Sequence, residues 1–375
     1  MKTVCLVLRA HAPYRLRRYT YFDVGRRHDY FDAETMRGRL GLLDRLCLEP
    51  AATMLGGLLE ADPSFRCSLS LSGPLLEQLE AAAPQRLGAF RRLVETGRVE
   101  PLDTTSHRCL AWAISWDEVE KQAEHQRDRI RRRLGREPAV FGGEDSSDPG
   151  ELAWRLESLG LRGLLIHGAD ALSASPDTPR FYRAPPPGRL PVMVLDAPTA
   201  SDLSDLDRWI SGISGDILCL SVDTTMVETP DGSMPRSMDG LEVWALRALA
   251  GNDVRFVTAS EAFREFAPQE SLPAAAGNPA PNELQRDARV CLAALEPRVG
   301  DAEASSAVDD FRRLTSSDHF DAMSLGARQP ATSRNRGAES PYETYLSFRH
   351  AVSDLEGRLA RRPTSRAASR GSGPA

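Results

Sequence analysis

The stretch Ala139–Asp148, with the sequence AVFGGEDSSD, decides how the rest of the chain is interpreted. It begins as a short apolar run, which predicts a β-strand, and it turns at Gly142 and Gly143, residues that allow a sharp change of backbone direction. The adjacent carboxylates Glu144 and Asp145 follow directly after this predicted strand. Adjacent acids are also common in plain surface turns. The stretch therefore indicates a functional site only if other strands of the chain end in the same way.

Other predicted strands do end in the same way. Seven further strands are predicted at the apolar segments of residues 3–8, 65–71, 99–102, 161–166, 190–195, 216–222 and 254–257, and ionisable residues follow five of them, the exceptions being 65–71 and 254–257. The ionisable residues that follow them, beside Glu144 and Asp145, are His11, Asp103, His107, Asp170, Asp196 and Asp223. The strands alternate with helical segments, a pattern typical of a parallel sheet covered by helices. In a β/α barrel the active site lies at the carboxyl ends of the strands, so we expect these side chains to face one site.

The number of strand and helix units favours a β/α barrel over residues 1–265, with an open doubly wound sheet as the alternative. No GxGxxG or Walker motif indicates a nucleotide site. Residues 266–282 are rich in Pro, Ala and Gly and predict a linker. A helical C-terminal subdomain is predicted over residues 283–360. The last 15 residues, 361–375, contain Arg but no acid, and predict a disordered basic tail.

Local signals predict where individual helices begin and end. Ser115 is the predicted N-cap of a charged helix, with Glu118 as its capping-box partner and Gly135 at its end. Asp148 is the predicted N-cap of the following helix. A long helix over residues 34–60 is interrupted by Pro50.

Composition excludes several classes of partner. Lys and Arg number 47 against 53 Asp and Glu, a net charge of −6 that argues against an unspecific nucleic-acid binder. No apolar run reaches the ~18 residues of a membrane span. The N-terminus is interpreted as the first strand and not as a signal peptide, so we expect a cytoplasmic protein. The six cysteines are scattered without a CxxC motif, which predicts buried thiols and no cysteine metal site. Nothing in the sequence indicates an oligomeric state.

Acids and histidines at one barrel mouth fit two chemistries. Paired carboxylates can cleave or transfer a glycoside, one as nucleophile and one as proton donor, about 5–5.5 Å apart in the retaining mechanism. An Asp-His-His set could instead hold a metal for hydrolysis, as in deacetylases. The metal hypothesis ranks second because His11, His107 and His167 lie on separate segments. We therefore expect no metal and no cofactor.

Several motifs carry a resemblance to glycoside hydrolase family 57, in its α-amylase-like branch, over nearly the whole chain. The motifs are His11-Ala12-Pro13 (the family has His-Gln-Pro), Tyr21-Phe22-Asp23, Asp103-Thr104-Thr105-Ser106-His107 (usually Glu-Thr-Tyr-Tyr-His), and Asp223 after an apolar strand. Near the C-terminus, Phe311–Phe320 and Ser340–Glu343 resemble the helical segment of that branch over a longer stretch.

The resemblance implies an incomplete (β/α)7-type parallel barrel followed by a C-terminal α-helical subdomain, an α-glucan or maltooligosaccharide substrate, a retaining mechanism and no metal. It maps the general acid/base onto Asp223. The family's nucleophile region usually reads Phe-Arg-Asn-Thr-Glu. Here that region reads Phe-Gly-Gly-Glu-Asp, so Asp145 occupies the nucleophile's position and Glu144 lies one residue earlier. Substrate-binding roles are predicted for His11, Asp103, His107, Trp112 and Trp116.

Three function hypotheses follow. The first is an α-glucan-active retaining glycoside hydrolase or 4-α-glucanotransferase. The second is a catalytically impaired amylase-like barrel that binds glucan or a partner protein. Its motivation is that both the nucleophile region and the segment after Asp223, Thr224–Glu228, depart from the family pattern. Asp145 is one methylene shorter than Glu, and a displacement near 1 Å can cost on the order of a hundredfold in rate. The third is a metal-dependent carbohydrate deacetylase.

Overall fold

The computed structural model describes residues 2–107, 114–142, 148–167, 181–196, 206–211, 216–224, 237–251, 254–268, 270–272, 281–300, 306–325 and 340–360. The strands are β1 (Lys2–Ala10), β2 (Cys67–Leu71), β3 (Val99–Pro101), β4 (Phe141–Gly142), β5 (Leu164–His167), β6 (Phe181–Arg183), β7 (Pro191–Leu195), β8 (Ile217–Asp223), β9 (Val254–Val257) and β10 (Glu270–Ser271).

The helices alternate with these strands and then continue alone. They are α1 (Ala33–Leu43), α2 (Glu49–Ala61), α3 (Gly73–Ala82), α4 (Pro84–Glu95), α5 (Trp116–Leu134), α6 (Pro149–Ser158), α7 (Leu206–Ser211), α8 (Ser237–Gly251), α9 (Ala259–Glu265), α10 (Glu283–Gly300), α11 (Ser306–Leu314), α12 (Ser317–Ala322) and α13 (Pro341–Ala360). None of the helices in the described ranges is long and apolar enough to span a membrane.

The strands form two ladders that single residue pairs connect. One ladder has the order β3-β2-β1-β8, with β9 also paired to β1, and the other has the order β10-β6-β7-β5-β4. The pairing is parallel except between β6 and β7. Isolated parallel bridges Asp103↔Phe141 and Asp196↔Leu220 join the two ladders. The predicted incomplete parallel barrel with a helical C-terminal region is confirmed, and it consists of β1, β2, β3, β4, β5, β7 and β8.

Alternation along β1 and β8 separates the inside of the barrel from its outside. Cys5, Val7 and Cys219 belong to an inner cluster with Leu102, Leu165 and Met193. Leu6, Leu8, Leu220 and Val222 pack outward against the helices. Because side chains alternate along a strand, Asp223 at the end of β8 shares the inner face with Cys219.

Two of the predicted helix signals are confirmed and one is wrong. The Asp148 side chain accepts hydrogen bonds from Gly150 N at 3.1 Å and Glu151 N at 2.9 Å, and Gly135 ends α5 in the left-handed region. Ser115 is the N-cap of α5, but its side chain makes no capping hydrogen bond, so the predicted capping box does not form. The reason is that Glu118 is buried and binds other partners, which are described below.

Prolines explain two helix boundaries. Pro50 lies in the first turn of α2, where a missing N–H costs little, and a π-helical turn, Asp44–Leu48, connects α1 to α2. The helical stretch between β2 and β3 is two helices, α3 and α4, because Pro84 begins a new one. Strands β6 and β10 were not predicted from the sequence. β10 takes residues of the predicted linker, and the predicted tail, residues 361–375, lies outside the described residues.

Candidate active site

Asp223 is the predicted catalytic residue whose position the structure describes. It is the last residue of β8, its Cα pairs with that of Arg9 on β1, and its side chain is half-buried. Thr224 N donates a hydrogen bond to the Arg9 carbonyl at 2.8 Å, which fixes the chain directly after Asp223. The carboxylate therefore stands at the inner rim of the barrel, on a strand hydrogen-bonded to β1.

The predicted nucleophile region begins on the opposite side of the barrel. Glu144 and Asp145 lie outside the described residues, as do Trp112 and Asp170, but the strand that leads to the two acids, β4, ends at Gly142. Between β8 and β4 stand β7 and β5 on one side and β1, β2 and β3 on the other. The chain therefore leaves β4 across the barrel from Asp223.

His11, directly after β1, connects the barrel to the helical C-terminal region. Its ring is buried, with Nδ1 2.8 Å from Ser72 Oγ and Nε2 2.9 Å from Asp318 Oδ2. Ser316 Oγ also donates to that Asp318 oxygen, at 2.7 Å. Both ring nitrogens of His11 are thus engaged by protein atoms, and the ring holds Asp318 against the ends of β1 and β2.

A second set of side chains surrounds Glu77, on α3. Its carboxylate accepts hydrogen bonds from the Tyr14 hydroxyl, from Arg129 at 2.6 Å and from Arg313 at 3.3 Å. The Arg313 guanidinium also lies 4.7 Å from the centre of the Tyr14 ring. Burial raises the pKa of Glu77, but the two arginines and the Tyr14 hydroxyl outweigh it and hold this pKa below its ordinary value; His107 contributes only when it is protonated. The helical region is thus attached to the barrel by a half-buried anion between two cations.

His107 is buried beside this group. Its Nδ1 lies 3.1 Å from Ser106 Oγ and its Nε2 lies 3.7 Å from Glu77 Oε1, too far for a hydrogen bond. Burial lowers the pKa of His107 to about 3, and Glu77 only partly opposes this, since Arg129 and Arg313 lower it further. His107 is therefore neutral at physiological pH.

The remaining predicted site residues are placed as follows. Asp103 is fully buried, its Oδ1 accepts a hydrogen bond from Thr104 N at 3.0 Å, and its backbone connects β3 to β4. Asp196, directly after β7, forms an isolated parallel bridge with Leu220 and so connects β7 to β8. Trp116, the first residue of α5, is half-buried and packs against the outer core that contains Val119 and Phe141. His125 on α5 is half-buried.

Most of the partners that hold these residues were not predicted from the sequence. Glu77 and Arg129 carry no motif, and their roles arise only when α3 and α5 pack together. Asp318 lies in the C-terminal segment that carried the resemblance, and that match was the one signal that could have indicated a role near His11. In the ranges that the structure describes, no group of three or more His, Cys, Asp or Glu side chains could hold a metal ion.

The buried neutral His107 predicts a loss of stability in acid. In the unfolded chain a histidine binds a proton below about pH 6.5, whereas folded His107 does so only near pH 3. The free energy of unfolding should therefore fall as the pH drops below 6.5, by about 2 kcal/mol at pH 5 from this group. Urea unfolding at pH 7, 6 and 5 measures it.

The matched variant for this prediction is His107→Gln, which has no group that titrates in this range. Its stability should fall less steeply between pH 7 and pH 5 than that of the wild type. His319, whose pKa burial lowers to about 4, contributes equally to both proteins and cancels from the comparison. Parallel pH profiles would show that His107 does not carry the effect.

Comparison with known proteins identifies the family. A model of glycosyl hydrolase family 57 matches residues 5–275. The chain belongs to glycosyl hydrolase family 57. No curated protein matches the chain significantly.

Solved structures similar to this family 57 protein share its fold at low sequence identity. A 4-α-glucanotransferase from Thermococcus litoralis has a TM-score of 0.66 and 14% identity, and the match covers 85% of this chain but 56% of that one. The α-amylase AmyC from Thermotoga maritima has a TM-score of 0.64 and 12% identity, with coverage of 96% and 94%. A family 57 branching enzyme from Thermococcus kodakaraensis, solved with glucose, has a TM-score of 0.67 and 13% identity, with coverage of 96% and 91%.

Proposed function

We propose that this family 57 protein is an α-glucan-active enzyme that hydrolyses or transfers α-glucosidic bonds with retention of configuration. The observation that carries the proposal is the position of Asp223, on the inner face at the carboxyl end of β8, across the barrel from the end of β4. The amylase, branching enzyme and glucanotransferase with the same fold support the substrate class.

In this proposal two carboxylates divide the chemistry. Asp223 protonates the leaving glycosidic oxygen, while Asp145, with Glu144 as the alternative, attacks the anomeric carbon and forms a glycosyl ester. Asp223 then removes a proton from the acceptor, which attacks the ester and releases the product. A water acceptor gives hydrolysis, and a sugar hydroxyl gives transfer.

The surrounding residues bind and orient the glucan. His107 and Asp103 are proposed to face substrate hydroxyls, and Trp112, rather than the core-packed Trp116, is proposed to stack on a sugar ring. Since both nitrogens of His11 are engaged by Ser72 and Asp318, its proposed role is to position Asp318 at the mouth.

Product analysis tests the proposal. The purified protein is incubated with maltoheptaose and with glycogen, and products are followed by chromatography, with the initial anomer identified by NMR. We expect shorter or redistributed α-glucans whose new reducing ends appear first as the α-anomer. Separate Asp145→Asn and Glu144→Gln variants then identify the nucleophile. An inactive wild type that still binds glycogen would replace the proposal with the binding-only hypothesis, and inverted products would contradict the retaining mechanism.

A further inference from the structure

A buried polar network connects the helical C-terminal region to His107. We name it the Gln122 network; its members are Arg312, Glu118, Gln122, Ser106 and His107. Apart from Arg312, each member has a relative exposure of 2% or less. Buried polar networks of this kind determine which atoms carry protons, because each donor must meet an acceptor.

Hydrogen bonds to Glu118 on α5 and to Thr315, directly after α11, fix the orientation of the Gln122 amide. Its Nε2 donates to Glu118 Oε1 at 3.1 Å and to Thr315 Oγ1 at 3.2 Å. The same Glu118 Oε1 accepts a hydrogen bond from Arg312 Nε at 3.0 Å, and the Thr315 hydroxyl already donates to the Arg312 carbonyl at 2.6 Å. A flipped amide would place its oxygen against the Glu118 carboxylate and against a hydroxyl with no proton left to give.

The proton positions further along the network follow from this orientation. Gln122 Oε1 faces Ser106 Oγ at 3.3 Å, so the Ser106 hydroxyl donates its proton to Gln122. Ser106 Oγ is then an acceptor towards His107 Nδ1, 3.1 Å away. The single proton of the neutral imidazole therefore lies on Nδ1, and Nε2 carries a lone pair.

The His107 Nε2 atom is then a buried acceptor in need of a donor. Among the described residues it has no hydrogen-bond partner, and the carboxylate oxygen that faces it, Glu77 Oε1 at 3.7 Å, is itself an acceptor. Leaving a buried acceptor without a donor is unfavourable, and a ligand hydroxyl within hydrogen-bond distance of Nε2 would relieve this cost.

We propose that Gln122 is a positioning residue that locks His107 in the Nδ1–H tautomer, so that Nε2 accepts a hydrogen bond from a hydroxyl of the bound glucan. The identity of the ligand rests on the proposed function, whereas the tautomer does not. Glu118 and Arg312 hold Gln122 in its orientation. The helical C-terminal region, which carries Arg312, therefore determines which ring nitrogen of His107 carries the proton.

Nitrogen NMR tests the tautomer without any activity measurement. The seven histidines are labelled with ¹⁵N, and long-range proton–nitrogen correlations distinguish Nδ1–H from Nε2–H rings. The His107 signals are those that disappear in His107→Gln. We expect the Nδ1–H pattern in the wild type at pH 7. The Nε2–H pattern would overturn the proposal, and this measurement needs only the folded wild type.

Two variants show whether the network sets the tautomer. Gln122→Met removes the acceptor for the Ser106 hydroxyl, which can then donate to His107 Nδ1, so we expect a shift towards the Nε2–H form. Ser106→Ala, a smaller change, should shift it in the same direction. Gln126→Met is the matched control, since Gln126 is a fully buried glutamine one turn along α5 that binds the Leu71 carbonyl. A His107 tautomer that responds equally to all three variants, or to none, would overturn the role of Gln122.

The ligand is tested with maltotriose. Its addition should change the His107 Nε2 chemical shift in the wild type, and Gln122→Met should raise KM for maltooligosaccharides about tenfold with kcat changed less than twofold, as loss of one hydrogen bond predicts. An unchanged Nε2 shift at saturating maltotriose would overturn the glucan contact while leaving the tautomer result intact. Loss of the proposed enzymatic function would appear separately, as absence of products from the wild type.

Discussion

Asp223→Asn should reduce kcat/KM on maltooligosaccharides by about 10²–10⁴-fold, the usual contribution of a general acid/base. The amide is nearly isosteric with the carboxyl group, so glucan binding should persist. The loss should be smaller for an aryl α-glucoside with an acidic phenol, since that leaving group departs without protonation. Rates measured on both substrates therefore identify the acid step itself and not only a damaged site.

The matched control for this change lies directly before the same strand. Asp216 is exposed beside the other end of β8, where its backbone carbonyl accepts a hydrogen bond from Thr3 N on β1 at 2.9 Å. Asp216→Asn makes the same chemical change and should leave kcat/KM within twofold. Equal activity of Asp223→Asn and Asp216→Asn would remove Asp223 from the mechanism.

The sequence predicted the framework of this site because the framework depends on local patterns. Short apolar runs predicted the strands, and the polar residue after each run predicted where the mouth would be, including Asp223 at the end of β8. Asp148 and Gly135 predicted helix ends correctly, since capping depends on nearby backbone groups.

The contacts that hold the site could not be predicted in this way, because they join residues far apart in the chain. His11 binds Asp318, and Glu118 binds Arg312. The second contact also explains the wrong capping-box prediction: Glu118 stands at the right spacing from Ser115, but burial against α11 gives its carboxylate a stronger partner, a charged guanidinium. Tertiary contact overrides the local signal at the point where the helical region meets the barrel.

Gly73→Ala should be the most destabilising single-methyl change at this junction. Gly73 begins α3 and is buried beneath the segment that carries Ser106 and His107. A Cβ at this position would lie 1.8 Å from the Ser106 carbonyl oxygen and 2.7 Å from Arg129 Nη1. Because the first of these is a backbone atom, no side-chain rotation relieves the clash, and residues 104–107 must move.

The expected loss of unfolding free energy is about 3 kcal/mol or more, at the upper end of the range for overpacked cores. Urea unfolding measures it. The same displacement pulls Ser106 from Gln122, so the His107 tautomer and the glucan KM should change together with stability. Gly38→Ala is the control: Gly38 is an exposed residue inside α1 where an added methyl would meet open space, and the better helix propensity of Ala should stabilise the protein by about 0.5–1 kcal/mol. If Gly73→Ala is as stable as Gly38→Ala, then α3 does not support the segment that carries His107. The close approach between Gly73 and the Ser106 carbonyl would then not hold residues 104–107 in place at the mouth of the barrel.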